Sequence, residues 1–184
     1  ALLQNWEAEI RRHLHAPYLG EMIMATGREL RTLRQDGRAG APDIIAGRSL
    51  LDVTAWSDAG VVLTTYETMR DYHLSFARTR FGLLIFDEIQ KLKNPTSQMA
   101  RAARTLNADF VLGLTGTPVE NRIEDYWAIG DVLTPGEFGS SKNFSKEYGA
   151  EDRVKLSALR RRVSESSREA PAFMLRRMKE DINE

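Results

Sequence analysis

The stretch FGLLIFDEIQKLKNP, residues 81–95, decides the fold of this chain. It begins with a run of large apolar residues, reaches two adjacent acids, Asp87 and Glu88, and then becomes polar. A short apolar run bounded by polar residues and a proline is typical of a strand that is buried on both faces. We therefore predict a buried strand over residues 82–88 that ends in two carboxylates.

Apolar segments of the same kind recur along the chain and alternate with helical patterns. Further strands are predicted for EMIMATG at 21–27, GVVLTTYE at 60–67 and DFVLGLTGTP at 109–118. The remaining segments predict helices at 2–14, 28–36, 68–77 and 96–106 (with Thr96 or Ser97 as N-cap), a loop at 37–49, and either a strand or the start of a helix at 49–56. This alternation predicts an α/β fold in which a parallel sheet carries helices on both faces.

The sequence after Arg122 carries helical patterns without strand signals. Helices are predicted at 123–133, 141–149, 152–165 and 169–181. The formal net charge of the chain is zero, yet residues 153–179 contain nine bases and two acids. Such a bias is typical of a solvated helix face. It also suits a surface that contacts phosphates, so both interpretations stay open.

The composition excludes several kinds of site. The chain has no cysteine, which excludes disulfides and thiolate metal sites and fits an intracellular protein. Its three histidines, His13, His15 and His73, are too scattered to form a metal-ligand cluster. No apolar run has the length of a membrane-spanning helix, and the N-terminus lacks the pattern of a signal peptide. The chain begins without a methionine and as if inside a helix, so we expect a fragment.

Polar residues follow three of the predicted strands. Crossover connections are right-handed, so consecutive strands point the same way and their carboxyl ends meet at one edge of the sheet. Open α/β sheets bind ligands at this edge. The residues predicted to meet there are Thr64, Thr65, Asp87, Glu88, Thr115, Gly116 and Thr117.

The acids of the opening stretch have a specific chemical interpretation. An apolar strand that ends in aspartate is the pattern of a Walker B element, in which Asp87 would hold Mg²⁺ between the phosphates of a nucleotide. Glu88 would then be placed to polarise the attacking water. The alternative is structural, since many apolar strands end in an acid that caps the following helix or turn.

The other edge residues also have two interpretations. In LTGTP, residues 114–118, the two threonines either cap a tight turn or hydrogen-bond Gln90 or a water near the phosphates. The amide of Gln90 both donates and accepts, which suits a relay between the two segments. Thr64 and Thr65 either bind phosphate or end a strand, with Thr65 as a helix N-cap. Phosphates or solvent are the alternatives for the cations and amide of the next loop, Lys91, Lys93 and Asn94.

Taken together, these segments resemble the Swi/Snf-type ATPases, the DNA-translocating, helicase-like motors of helicase superfamily two. The similarity runs from Leu2 to the last residues and keeps the family's order. NWEAEIRRHL (5–14) resembles the helix after motif Ia, VVLTTYE (61–67) the motif Ib region, LIFDEIQKLKNP (84–95) motif II, LGLTGTPVEN (112–121) motif III, and FMLRRMKEDI (173–182) the segment that leads to the second lobe. The wording of DEIQKLKNP and GTPVEN is most similar to prokaryotic members.

The resemblance implies the first RecA-like lobe, with its three-layer fold, of a motor that hydrolyses ATP with Mg²⁺ and moves along duplex DNA. Asp87 matches the family's magnesium-linked acid and Glu88 its catalytic base. The resemblance assigns coupling between nucleotide and DNA to Gln90, Thr115, Gly116 and Thr117. It assigns contact with the DNA backbone to Thr64, Thr65, Lys91, Lys93, Asn94 and Asn121. It also implies a second RecA-like lobe as partner and an intracellular location, in the cytoplasm or nucleoid of a prokaryote or the nucleus of a eukaryote.

One departure from the family pattern concerns the phosphate-binding loop. The sequence contains no GxxxxGK[ST], and no lysine follows a glycine. We therefore expect residues 1–135 to be a partial lobe without the phosphate-loop strand, and 136–184 to be a helical extension toward an absent second lobe. We expect the missing strand to lie between strands 82–88 and 109–118, so that these two pair directly or leave an exposed edge. The isolated chain is expected to be inactive. The alternative function is a non-catalytic DNA- or protein-binding module that keeps the fold.

Overall fold

A computed structural model describes residues 2–14, 20–35, 40–116, 122–149, 152–166 and 172–175. Its strands are β1 (Glu21–Ala25), β2 (Ala59–Thr64), β3 (Arg80–Asp87) and β4 (Asn107–Leu114). Its α-helices are α1 (Leu2–His13), α2 (Glu29–Thr32), α3 (Asp43–Ala46), α4 (Tyr66–Asp71), α5 (His73–Phe76), α6 (Gln98–Ala103), α7 (Ile123–Leu133), α8 (Ser141–Tyr148) and α9 (Arg153–Ser164). Two short 3-10 helices cover Val53–Trp56 and Ile89–Leu92. No described helix has the length and apolar character needed to cross a bilayer.

The four strands pair in parallel, as predicted, but in two separate sheets. β1 pairs with β2, and β3 pairs with β4 in a continuous register from Arg80↔Asn107 to Asp87↔Leu114. The sequence predicted a single sheet, because an apolar pattern shows that a segment is a strand without showing its neighbour. Direct pairing of β3 with β4 was one of the two expected outcomes, and no strand lies between them in the described residues.

One face of the β3–β4 sheet supplies the main core. Phe86 packs there with Met69 of α4, Val132 of α7 and the 3-10 residues Ile89 and Leu92. Helix α6 contributes small side chains, Ala100, Ala102 and Ala103, which let the helix lie close to the sheet. Ser97, one of the two predicted N-caps, accepts a hydrogen bond from the backbone N–H of Ala100 at 3.1 Å and so begins this helix.

The opposite face of β3–β4 is uncovered in the described residues, in contrast to the predicted coverage of both faces. Leu83 is 52% exposed and its ladder partner Phe110 is 62% exposed. Ile85 and Leu112, on the same face, are also exposed. The apolar composition of these strands therefore reports a face that could be covered, but the helices α4, α6 and α7 contact only the other side.

The segment predicted as a loop, residues 37–49, instead contains the helix α3, which a buried acid fixes to the rest of the molecule. The carboxylate of Asp43 is fully buried and accepts hydrogen bonds from the backbone N–H groups of Leu50 (2.9 Å) and Ser75 (2.7 Å). The undecided segment 49–56 forms a bridge at Leu51 and then the 3-10 helix. Because these partners lie far apart in sequence, local composition did not reveal them.

The C-terminal helices form a separate aromatic cluster against α7. Phe138 lies at its centre and packs edge-on against Phe144 and Phe173, with ring centroids 5.5 and 5.2 Å apart. The predicted helix 169–181 is wrong where it is described, since residues 172–175 are not helical. Pro171 precedes them in sequence, and a proline is unfavourable inside a helix. The predicted helix 68–77 is likewise divided, into α4 and α5, at Tyr72.

Candidate functional site

Asp87 lies at the carboxyl end of β3 and is held from two sides. The indole N–H of Trp6 in α1 donates a hydrogen bond to its carboxylate Oδ2 at 2.9 Å. The phenol of Tyr66 at the start of α4 donates to its backbone carbonyl at 2.8 Å. The residue is half-buried. Its position is therefore fixed both at the main chain and at the side chain.

Glu88 turns the chain sharply after the strand. Its φ of 54° and ψ of 51° lie in the left-handed region, and it is the one non-glycine residue with positive φ among those described. For such a residue this conformation costs about 1–2 kcal/mol. The following 3-10 helix offsets that cost by burying Ile89 and Leu92. A non-glycine residue held in this way is typical of functional sites.

Gln90 contacts the second carboxylate directly. Its side-chain nitrogen donates a hydrogen bond to Glu88 Oε2 at 2.6 Å. Its amide oxygen is buried and has no hydrogen-bond partner within the described part of the chain. A buried acceptor without a partner is costly, so this oxygen is an available position for an incoming donor. The arrangement is compatible with the relay that the sequence predicted for Gln90.

The ring of Tyr66 joins the ends of the two sheets. It stacks on Phe86 with centroids 6.1 Å apart, and the ammonium of Lys91 lies 5.4 Å from its own centroid. Burial raises the pKa of the Tyr66 phenol, and the negative charges of Asp87 and Glu88 raise it further. The phenol therefore stays protonated around neutral pH and remains a hydrogen-bond donor to Asp87.

The residues of the second predicted segment follow β4 directly. Leu114 is the ladder partner of Asp87, so Thr115 comes one residue beyond that pair, as Glu88 does on β3. Thr115 is half-buried and Gly116 is exposed. Thr117 and Asn121 lie outside the described residues. The register thus brings the acids and the start of LTGTP to one edge, as the sequence predicted.

Thr64 and Thr65 have structural partners in this chain. Thr64 Oγ1 donates a hydrogen bond to the carbonyl of Ala25 at 2.9 Å, across the β1–β2 sheet. Thr65 Oγ1 accepts one from the backbone N–H of Thr68 at 3.1 Å and caps α4. These contacts match the structural interpretation that the sequence left open. The role of both residues in DNA contact stays a prediction.

The loop after the acids is also tied to its surroundings. Lys93 pairs with Asp125 of α7 at 3.6 Å. The side-chain oxygen of Asn94 accepts hydrogen bonds from the backbone and hydroxyl of Thr96, at 3.1 and 2.8 Å, and so closes a turn. Lys93 and Lys91 are exposed apart from these contacts. Their predicted contact with phosphates is untested.

The donor chemistry of this edge fits a magnesium ion shared with a nucleotide. Within the described ranges no group of three or more His, Cys, Asp or Glu side chains could hold a metal by itself. Mg²⁺ is usually bound through one or two carboxylates together with waters and substrate phosphates, and so needs no such group. Asp87 and Glu88 supply the hard oxygen atoms that this mode requires.

Two residues of the site were not identified from the sequence. Trp6 occupies an apolar position of an amphipathic helix, so its spacing indicated packing and nothing more. Tyr66 lies within TTYE, where the threonines drew the functional interpretation. No local signal linked either residue to Asp87, because the contacts span 81 and 21 positions in sequence.

Comparison with known proteins gives the family. The SNF2-related domain matches residues 1–184. The chain belongs to the SNF2-related domain family. This is a helicase-like, ATP-binding and DNA-binding family with a RecA-like fold. The SNF2-related chain has the parallel α/β architecture of the ATPase core, which confirms the predicted fold class.

Individual relatives of this SNF2-related domain come from bacteria and eukaryotes. The Zorya protein ZorD of Escherichia coli is 30% identical over 99% of the chain and 17% of its own length. The TATA-binding protein-associated factor MOT1 of Saccharomyces cerevisiae is 30% identical over 99% of the chain and 9% of its own length. The chain thus spans less than a fifth of these curated relatives, and its predicted prokaryotic origin stays a prediction.

Solved structures show the same architecture. The SWI2/SNF2 ATPase core domain of Sulfolobus solfataricus matches all of this SNF2-related chain with a TM-score of 0.64 and 27% identity. The match covers 33% of that protein. The same core in complex with dsDNA matches 86% of the chain and 29% of its own, with a TM-score of 0.63 and 24% identity. The second match supports the fold alone.

Proposed function

We propose that this chain is part of the first RecA-like lobe of a DNA-dependent ATPase that translocates along duplex DNA. The observation that carries the proposal is the Asp87–Glu88 pair at the carboxyl end of β3, with Asp87 anchored through both its carbonyl and its carboxylate. Two adjacent acids on rigid backbone at this edge suit nucleotide chemistry better than a structural cap. Membership of a helicase-like family supports the same reaction class.

The two acids have different tasks in this proposal. Asp87 holds the Mg²⁺ of Mg-ATP, and the metal, when bound, neutralises charge on the phosphates. Glu88 orients the attacking water and accepts hydrogen-bond density from it. Gln90 holds the Glu88 carboxylate through their 2.6 Å hydrogen bond, which limits the orientations that Glu88 can adopt.

Coupling to DNA is assigned to the segment that follows β4. Thr115, Gly116 and Thr117 leave the sheet beside the acids, so a change in nucleotide state can alter their backbone. The free acceptor of Gln90 supports a relay in which a donor from this segment or from a nucleotide-bound water reaches its amide oxygen. The proposal is that loss of the phosphate changes this hydrogen bonding and is transmitted to DNA.

DNA contact is proposed to occur mainly through phosphates. The candidate residues are Thr64, Thr65, Lys91, Lys93, Asn94 and Asn121. Such contacts carry little sequence information, and each neutralised phosphate releases counterions. Affinity of the complete protein for duplex DNA should therefore fall steeply with salt and depend little on sequence. Filter or anisotropy binding across a salt series measures this, and strong binding that persists at high salt would contradict it.

We further propose that residues 1–135 form a partial lobe without a phosphate loop and that 136–184 lead toward a second lobe inside the same intracellular protein. The chain alone should then lack measurable affinity for Mg-ATP, because Asp87 reaches a nucleotide only through metal and phosphates that this chain does not hold. Calorimetric titration of the isolated chain with Mg-ATP tests the point. Binding in the micromolar range would overturn it.

The proposed function is tested in the complete protein by Glu88→Gln. Turnover of ATP should fall by about a hundredfold or more, because the water loses its carboxylate partner, whereas ATP binding should persist. Glu124→Gln, an exposed acid at the start of α7, is the matched control and should retain turnover. DNA-stimulated turnover of Glu88→Gln close to that of the control would refute the assignment and favour a non-catalytic binding module.

A further inference from the structure

Trp6 makes a contact that sets it apart from the other tryptophans. The chain has three, and each donates its indole N–H. Trp56 donates to the hydroxyl of Thr79 at 2.8 Å, and Trp127 donates to the carbonyl of Gly139 at 2.9 Å. Trp6 alone donates to a carboxylate, and that carboxylate is the one placed for the metal.

This hydrogen bond is also how α1 is tied to the site. The ion pairs of α1 are internal to the helix, joining Glu7 to Arg11 and Glu9 to Arg12 and His13. No residue of α1 is fully buried. Within the described part of the chain, Trp6 makes the only side-chain hydrogen bond from α1 to another element. The contact is therefore not explained by packing of the helix alone.

We propose that Trp6 is a positioning residue for magnesium: its N–H fixes Oδ2 of Asp87 and thereby turns the other carboxylate oxygen toward the metal or its water. The inference rests on the proposed role of Asp87 as the magnesium-linked acid. The χ2 angle of aspartate has a broad distribution, so an unrestrained carboxylate samples many orientations. A hydrogen bond to one oxygen removes much of that freedom.

An indole suits this task better than a cation does. A lysine or arginine in the same place would also hold the carboxylate, but its positive charge would compete with Mg²⁺ for Asp87. The neutral indole N–H orients the group while leaving its negative charge available. Tyr66 fixes the carbonyl of the same residue and not its carboxylate, so it does not duplicate the role of Trp6.

The first measurement is the magnesium dependence of nucleotide binding in the complete protein. The β,γ-imido analogue of ATP is titrated by calorimetry at a series of Mg²⁺ concentrations, so that no turnover is needed. Groups that orient a metal-binding carboxylate typically contribute about 10–100-fold to metal affinity. We expect Trp6→Phe, which keeps the aromatic ring and removes the N–H, to raise the Mg²⁺ concentration for half-maximal binding by about tenfold. Trp127→Phe, which also loses an indole hydrogen bond, should leave it unchanged.

The second measurement reports the hydrogen bond itself. In complete protein labelled with 5-fluorotryptophan, the Trp6 resonance is identified by its loss in Trp6→Phe. Asp87→Asn, in the absence of metal, should shift this resonance, because the charged acceptor is gone. The Trp127 resonance should stay in place in both variants, which also shows that they are folded. A Trp6 resonance that ignores Asp87→Asn would overturn the inference.

The outcomes separate the inference from the proposed function. If Asp87→Asn raises the Mg²⁺ requirement while Trp6→Phe does not, Asp87 keeps its role and Trp6 is only structural. If Asp87→Asn leaves the Mg²⁺ requirement unchanged, the proposed function itself fails. A raised requirement in both variants, with an unchanged Trp127→Phe control, supports the inference.

Discussion

Gly113 in β4 determines how closely the chain after Glu88 can approach the sheet. A Cβ atom at this position would lie 2.6 Å from Cδ1 of Ile89 and 3.2 Å from Cδ2 of Leu133. Ile89 is buried and directly follows Glu88, so it has little room to move. Gly113→Ala must therefore displace the 3-10 helix that fixes the left-handed conformation of Glu88.

The size of the effect follows from two opposing contributions. Adding a methyl group to a closely packed site costs roughly 1–3 kcal/mol. Replacing glycine by alanine also restricts the unfolded chain, which stabilises the fold by about 0.4–1 kcal/mol. We expect a net loss of about 1–2 kcal/mol in the free energy of unfolding, or roughly 2–8 °C in Tm for a chain of this size. In the complete protein, ATP turnover should fall as well because Glu88 moves.

Gly82 in β3 provides the matched control. It lies on the neighbouring strand, and a Cβ atom there would meet nothing within 4 Å. Gly82→Ala should therefore be neutral or slightly stabilising. Urea unfolding of the isolated chain compares the two variants, and ATPase assays of the complete protein follow. If Gly113→Ala is as stable as Gly82→Ala and equally active, the argument from close approach is wrong.

Three further predictions concern stability and association. Asp43→Ala should lower the free energy of unfolding by about 3 kcal/mol, because it removes a charged acceptor from two buried backbone N–H groups, including that of Ser75; a loss below about 1 kcal/mol in urea unfolding would contradict this. Tyr126 has a buried hydroxyl without a partner among the described residues, so Tyr126→Phe should leave Tm unchanged or raise it. Burial raises its pKa to about 12 from 10.0, so the unfolded chain ionises first and native stability falls as pH rises across that interval, less in the Phe variant; equal slopes would refute the assignment. The uncovered β3–β4 face should make the isolated chain self-associate, and combining Leu83→Lys with Phe110→Lys should give a monomer in sedimentation experiments, unless association uses another surface.

Periodicity was enough to predict most elements, because helices and strands are set by neighbours in sequence. The helix α7 occupies 123–133, as its apolar spacing predicted, and β3 extends the predicted strand by two residues to Arg80. The same reasoning placed Asp87 and Glu88 at a strand end and Thr115 at the same edge. Those predictions needed only the rule that parallel strands end together.

Contacts between distant segments were not predictable in this way. The helix α3 exists where a loop was predicted, because Asp43 finds its donors in segments that composition does not connect to it. Strand patterns likewise did not show that β2 and β3 would belong to different sheets, since each pattern describes one strand and not its neighbour.

The sequence by itself therefore determined the fold class, the family resemblance and the two acids, because each is written in a contiguous motif. Only the tertiary structure decided how those acids are held: Trp6 on the carboxylate, Tyr66 on the carbonyl, and Gln90 on Glu88. It also decided which face of β3–β4 is covered. The physical reason is that hydrogen bonds and packing depend on the positions of atoms in space, and residues 81 positions apart acquire those positions only when the chain folds.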